Sequence, residues 1–372
     1  MKFWFQRKAA PAARPGLHRA FAGAPPAGDW PRSYEAQVRE AYLGNPVAQR
    51  AVRLVAESVA WAPVHGGEGE AGARAARLVG PALLDTAAAQ LLLHGNAYLQ
   101  ILVGGDGAPA ELFPLRPERV SVEAGASGWP AAYLYKAGEA RTRLPARDGL
   151  GRPSLVHVKL MHPLDDHYGL GCLGAAAGAV AIHNAATRWN KALLDNAARP
   201  SGALVTEGGE GALSAEQHAR LSEEMERMFA GAANAGRPML LEGGLKWQAM
   251  SLTPADMDFV GLKASAAREI ALAFGVPPML LGLPGDSTYA NYREANRALW
   301  RLTLLPLADR ILSAVSGALG AWWPEVKLAL DVDQVSALAE DRERLWAQVT
   351  AADFLSRDEK REMLGFGPGG EG

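Results

Sequence analysis

Residues 271–282 read Ala-Leu-Ala-Phe-Gly-Val-Pro-Pro-Met-Leu-Leu-Gly. The first half ends a helix, and the second half forbids its continuation. Gly275 stands where a helix commonly turns left-handed to stop. Val276-Pro277-Pro278 then removes two backbone donors and clashes with any helical turn before it. The helix that ends here opens at Thr253-Pro254-x-Asp256, with an N-cap hydroxyl, proline at the first helical position and an acid in the first turn. After the polar loop Pro284-Gly285-Asp286-Ser287-Thr288, a second pattern predicts a helix from Tyr289 to Leu319, which Pro306 should kink. Two long helices joined at a proline corner set a helix-rich frame.

Upstream of this corner the pattern predicts another long helix, Cys172 to Ala198, stopped by Pro200. The stretch 200–252 between them reads as a small insert. It has strand patterns at Ala203–Thr206, Pro238–Leu241 and Leu245–Met250, and a helix opened by the capping box Ser214-x-x-Gln217. Further back, Ser33 begins a helical pattern. Asn45-Pro46 opens a helix whose stripe is Val47, Ala51, Val52, Val55, Ala56 and Val59, and Pro63 closes it. Residues 66–72, Gly-Gly-Glu-Gly-Glu-Ala-Gly, read as a loop. A helix from Pro81 to His94 follows, with Gly95 at its stop. Strands are expected at Ala97–Val103, Val120–Val122 and Leu155–Met161, with a hairpin of Tyr133–Tyr135 and Thr142–Leu144. Pro114 and Pro117 read as breaks. Downstream come a strand at Val326–Leu330, a helix from Ser336 to Ala351, and a short helix boxed by Ser356-x-x-Glu359 and stopped at Gly365. The fold class is α+β, helix-rich.

Composition bounds the function. The 372 residues suffice for two to three domains, and much of the 49% hydrophobic content is helix-favouring alanine. A formal charge of -2 lacks the basic surplus of proteins that grip DNA through many phosphates. Any contact with DNA is then expected to be loose. The single cysteine, Cys172, excludes an intrachain disulfide and CxxC zinc sites. The basic opening Met-Lys-Phe-Trp-Phe has no continuous apolar segment after it, and Leu170–Ile182 is too short to span a bilayer. No membrane association is expected.

The search for chemistry is mostly negative. Walker A, HExxH and GxSxG patterns are absent. Gly67-x-Gly69-x-x-Gly72 has dinucleotide-loop spacing, but it follows a predicted helix, and Glu68 and Glu70 would repel phosphate; it reads as a surface loop. His157, His162, His167, Asp165 and Asp166 form the densest ligand-type cluster. Their spacing across a strand end and a proline loop does not enforce convergence on a metal. Cys172, among Gly and Ala, reads as a packed residue. Glu294, Arg297, Arg301, Asp309 and Arg310 fall at helical spacing, as a solvated or subunit-facing stripe does. No catalytic residue, metal or cofactor is expected.

Five segments, in order, resemble the tailed-phage portal family, of the type found with siphophages and gene transfer agents. They are Asn45-Pro-Val-Ala-Gln-Arg-Ala-Val-Arg53, Leu92-Leu-His-Gly-Asn-Ala-Tyr-Leu99, Phe113-Pro-Leu-Arg-Pro-Glu-Arg-Val120, Gly169-Leu-Gly171 with the helix after it, and Ala271–Gly282 followed by Tyr289-Ala-Asn-Tyr292. The last is very like the family's A-x-x-F-G-V-P-P-x-L-L-G. At the fourth, Cys172-Leu173 stands where the family usually has Ser-Pro.

The resemblance implies a portal-type subunit. Residues 1–30 would be a flexible arm, 31–168 the wing, 169–199 and 253–275 the stem helix pair, and 200–252 the clip. Residues 276–288 would be the tunnel loop, 289–320 a kinked tunnel helix, 321–334 a wing strand, and 335–372 a small crown with a disordered tail. Pro284, Gly285, Asp286, Ser287 and Thr288 would line the DNA channel. Glu223, Arg227, Arg237, Glu242 and Lys246 would form the clip docking surface. The implied assembly is a homo-oligomeric ring, dodecameric, at one capsid vertex of a virion put together in bacterial cytoplasm. Its implied partners are double-stranded DNA passing through the channel, the terminase large subunit, the head–tail adaptor and the major capsid protein. It would not be an enzyme. Small residues from Ala175 to Ala181 would let neighbouring subunits approach, and a near-neutral channel suits sliding DNA. The competing readings are a monomeric DNA-handling enzyme and a monomeric α+β binding module.

Overall fold

The structure is a computed structural model that describes residues 33–195, 202–206, 214, 216, 219–220, 222–223, 245–249, 259–283 and 288–364. The expected arm at 1–30, the strand at Pro238–Leu241, most of the insert helix and the stop at Gly365 lie outside them.

The chain enters through α1 (Tyr34–Val38), capped by the Ser33 side chain and continued by one π-turn, Arg39–Leu43. α2 (Pro46–Trp61) starts at Asn45, whose side chain accepts from the Val47 and Ala48 amides. Of its expected stripe, Ala51, Val52, Val55, Ala56 and Val59 are buried and Val47 is half-buried, with Ala48 buried beside it. A two-residue strand β1 (Val64–His65) follows, and then α3 (Glu70–Leu78). The loop expected at 66–72 therefore ends at residue 69. Burial of Ala75 in the core, and of Gly72 against the Gly66 backbone, offsets the weak capping at Gly69, which the sequence showed as glycine and acid only. α4 (Pro81–His94) ends on Gly95 with φ of 83°.

Six of the strands form two three-stranded antiparallel sheets. β2 (Asn96–Val103) lies between β3 (Pro109–Leu115) and β7 (Leu155–Lys159). β5 (Pro130–Ala137) lies between β4 (Val120–Ala124) and β6 (Ala140–Pro145). β3 was not expected because of Pro114. It is an edge strand, where a missing N–H can face outward without breaking a ladder. Tyr98, Leu115, Val120, Tyr133 and Leu155 fill a small core between the sheets.

The main core is helical. α2 packs on α4, and α4 packs on α8 (Leu305–Leu319). α5 (Leu173–Asp195) lies along α6 (Phe259–Ala273), with Trp189 near the end of one stacked on Phe259 at the start of the other. Between them the backbone of β8 (Gly202–Thr206) pairs antiparallel with β9 (Leu245–Ala249). Ala176, Ala177 and Ala179 are buried within the chain. The small residues expected to serve contact between subunits are thus partly used inside one subunit.

α7 (Tyr289–Leu299) runs into α8 through a π-turn, Trp300–Leu304. The Leu305 N–H donates to the Trp300 carbonyl, a bond one residue longer than the α-helical one. The irregularity expected at Pro306 is met by this widened turn, which precedes the residue lacking a donor. The continuous helix of 31 residues is long and apolar enough to cross a membrane by length and composition. Its stripe of Leu304, Leu307, Ala308, Ile311, Leu312, Val315 and Leu319 is already buried in the core. The strand expected at Val326–Leu330 shrinks to β10 (Ala329–Leu330), paired with β1. Val326 and Leu328 are buried, yet the partner edge, β1, has two residues. α9 (Ala339–Ala351) and α10 (Arg357–Met363) close the chain, the latter with the expected Ser356–Glu359 capping box.

Candidate functional site

The proline corner is built as its sequence dictates. Phe274 and Val276 are buried, Gly275 turns with φ of 66°, and Pro278–Leu281 forms one tight turn ending at Gly282. The Thr303 hydroxyl, from the π-turn, donates to the Gly275 carbonyl at 2.7 Å. This bond fastens the end of α6 to the junction of α7 and α8. Of the loop that follows, Thr288 is described: its hydroxyl caps α7 by accepting from the Asn291 amide at 3.2 Å. Pro284, Gly285, Asp286 and Ser287 lie outside the described residues. So do Arg227, Arg237 and Glu242. Glu223 is exposed in a helical segment, and Lys246 sits in β9.

The junction before α5 explains two motifs together. A Cβ on Gly95 would stand 2.4 Å from the Leu170 carbonyl carbon and 2.5 Å from the Gly171 nitrogen. A Cβ on Gly169 would stand 2.0 Å from the Gly95 oxygen. Backbone therefore lies on backbone, and Leu160 N–H donates to Gly95 O at 2.8 Å while Cys172 N–H donates to Leu92 O at 2.7 Å. The fully buried Asn96 stitches the contact. Its oxygen accepts from Gly169 N–H at 2.7 Å and from His157 Nε2 at 3.0 Å, and its amide donates to Gly169 O at 3.1 Å and His94 Nδ1 at 3.1 Å. His157 stacks on Tyr98 with centroids 4.3 Å apart. Burial pushes its pKa down to about 3, and Lys159 and neighbouring histidines add to this.

A second polar knot ties α2 to α5. Asn45 Nδ2 donates to His183 Nδ1 at 3.1 Å and to Asn184 Oδ1 at 2.9 Å, and Asn184 donates to the Glu40 carbonyl at 2.9 Å. Burial, with Lys263 adding, lowers the His183 pKa. A third ties α7 to α9. Arg297, only 13% exposed at its side chain, bonds Glu294 at 3.0 Å and Glu340 at 2.5 Å, and lies 3.6 Å from Asp341; Arg293 also reaches Glu340. The charged stripe expected on this helix is thus divided. Arg297 braces another helix within the chain, and Arg310 donates to the Lys159 carbonyl.

The ligand-type cluster does not converge. His157 serves Asn96, His162 Nδ1 accepts from Leu164 N–H, and Asp165 accepts from the His167 and Tyr168 amides. Among the described residues no group of three or more His, Cys, Asp or Glu is placed to hold a metal. Burial raises the Cys172 thiol pKa, against nucleophile chemistry. The Gly67–Gly72 loop does connect a strand to a helix, contrary to expectation. The strand has two residues, and Glu68 and Glu70 stay at the helix start, so a phosphate would still meet two acids. Sequence reasoning missed Asn96, His183 and Asn184. The pairing of Asn96 with Gly169 spans 73 residues, and no local pattern signals it.

Comparison with known proteins adds to this geometry. The profile of the family described as phage portal protein matches residues 46–365. A protein of Rickettsia felis, described as uncharacterized, is 41% identical over 346 residues, 88% of each chain. The portal protein of Enterobacteria phage HK97 is 25% identical over 228 residues, 59% of this chain and 50% of that protein. Among solved structures, a chain in the neck of a native gene transfer agent particle, computed with C12 symmetry, is 47% identical with a TM-score of 0.67, covering 92% of this chain and 96% of that one. An HK97-family phage portal protein from Corynebacterium diphtheriae shares the fold, with a TM-score of 0.57 at 15% identity over 83% of this chain and 98% of that one. With a family profile covering most of its length, and its helix-rich α+β fold shared with a solved portal protein, the chain belongs to the phage portal protein family.

Proposed function

We propose that this chain is the portal subunit of a phage-like particle of the gene transfer agent type, one copy in a dodecameric ring at a capsid vertex. Double-stranded DNA passes through the ring during packaging and ejection. The observation that carries this reading is the 47% identity, over 92% of the chain, to a chain of a gene transfer agent neck solved with C12 symmetry.

In this reading 31–168 with 321–334 is the wing, 169–199 and 253–275 are the stem, 200–252 is the clip, 289–320 is the tunnel helix and 335–372 is the crown. Glu223, Arg227, Arg237, Glu242 and Lys246 face the terminase large subunit and later the head–tail adaptor. Pro284 to Thr288 line the channel, and the wing meets the major capsid protein. The subunit assembles in the bacterial cytoplasm and acts by position, without catalysis. A formal charge of -2 supports passage of DNA over tight binding.

The test is depletion of this chain from particle-producing cells. Heads should then lack DNA. Heads filled to the normal level would exclude the reading. Deleting Gly285–Ser287 should leave rings intact and impair packaging, and normal packaging would remove that loop from the channel.

A further inference from the structure

The proline corner leaves a groove on the surface. Leu272 on α6 and Leu302 on the π-turn stand on its walls, each 78% exposed. Val276, Pro277, Pro278 and Ala298 line it between them, around a volume of about 410 Å3. The groove is held open from below. Phe274, Val276 and Leu299 are buried beneath it, and the Thr303 hydroxyl bonds the Gly275 carbonyl across its base. Its walls therefore cannot collapse on each other to hide the two leucines. Arg268 and Glu269, one turn before Leu272 on α6, and Arg301, next to Leu302 in the chain, are exposed. A preformed, exposed apolar patch is a common mark of a protein–protein contact.

We infer that this groove receives the neighbouring copy of the same chain in the ring. The inference rests on the ring reading above. In a ring the contact is head-to-tail, so each subunit presents one surface to the copy on its left and a different one to the copy on its right. A surface that is preformed, apolar and uncovered among the described residues suits one side of such a contact. The occupant follows from the assembly: a chain 47% identical sits in a neck of C12 symmetry, where each copy repeats its contacts around the axis. The tight bracing matches this occupant. A rigid groove pays its ordering cost during folding, so assembly immobilises little further.

Two measurements decide it. The variants Leu272→Asp and Leu302→Asp place a charge where the neighbour would bury it. Each should keep the wild-type circular dichroism, and each should raise the concentration for half-assembly by roughly a hundredfold or more. In a Cys172→Ser background, Leu302→Cys should be alkylated at least about tenfold more slowly in assembled rings than in the urea-unfolded chain, as expected for a thiol closed off from solvent. Assembly of both aspartate variants at the wild-type concentration would overturn the inference, as would a cysteine at 302 that reacts equally fast in rings. If an aspartate variant fails to fold, the alkylation rate alone decides. If the wild-type chain forms no ring, the ring reading fails first and takes this inference with it.

Discussion

Asn45 does two jobs with one side chain. Its oxygen caps α2 through two amides, and its amide reaches the buried His183 and Asn184 of α5. Asn45→Ala should lose the cap and strand buried acceptors, lowering stability by about 2 kcal/mol in thermal or urea unfolding. Asn45→Asp keeps the capping oxygen and should recover part of the loss. An alanine variant as stable as wild type would remove the knot from the account. His157 gives a pH dependence with a definite sign. Its folded pKa is depressed to about 3, so the unfolded chain takes up the proton more readily. Stability is then full above the ordinary histidine range and falls as pH drops from about 6.5 towards about 3, by at most about 1.4 kcal/mol per unit. His157→Phe should flatten that part of a urea-midpoint profile. An unchanged slope would assign the acid sensitivity elsewhere.

At the scale of elements, the close approach of Gly95 to residues 169–171 joins the end of α4 to the start of α5. Gly95→Ala meets both a left-handed backbone, worth about 1–2 kcal/mol, and carbonyl atoms that cannot move aside. It should destabilise by more than the backbone cost alone, and a melt within a degree of wild type would contradict this. Arg297 joins α7 to α9. Its acidic partner Glu340 is about half exposed, so the pair is worth less than a buried one. Arg297→Met should therefore loosen α9 more than the main core. Hydrogen exchange would read this as faster opening of residues 339–351 with unchanged protection in α2 and α4.

These elements also mark what could be read from the sequence. α2, α4, α6 and the proline corner declare themselves locally, through Asn45-Pro46, Pro81 with Gly95, and Gly275 with its two prolines. α3 and β3 did not. Their glycines and Pro114 argue against helix and strand, and tertiary burial and an edge position overrule them. The corner and Thr288 were legible as parts of a site. Asn96, Asn184 and the outward-facing Leu302 were not, because their roles depend on residues far away in the chain.

The whole molecule poses a geometric question. Its main core is assembled from residues of one copy, yet Leu272 and Leu302 remain exposed, and its relative occupies a neck with C12 symmetry. Its near-neutral charge suits a passage more than a grip. The central claim is that this subunit closes into a ring with a channel. Electron microscopy of the purified full chain, viewed down the particle axis, tests it most directly. The account predicts closed rings of twelve subunits around an open centre. Single compact particles at every protein concentration, with no rings in any view, would contradict it.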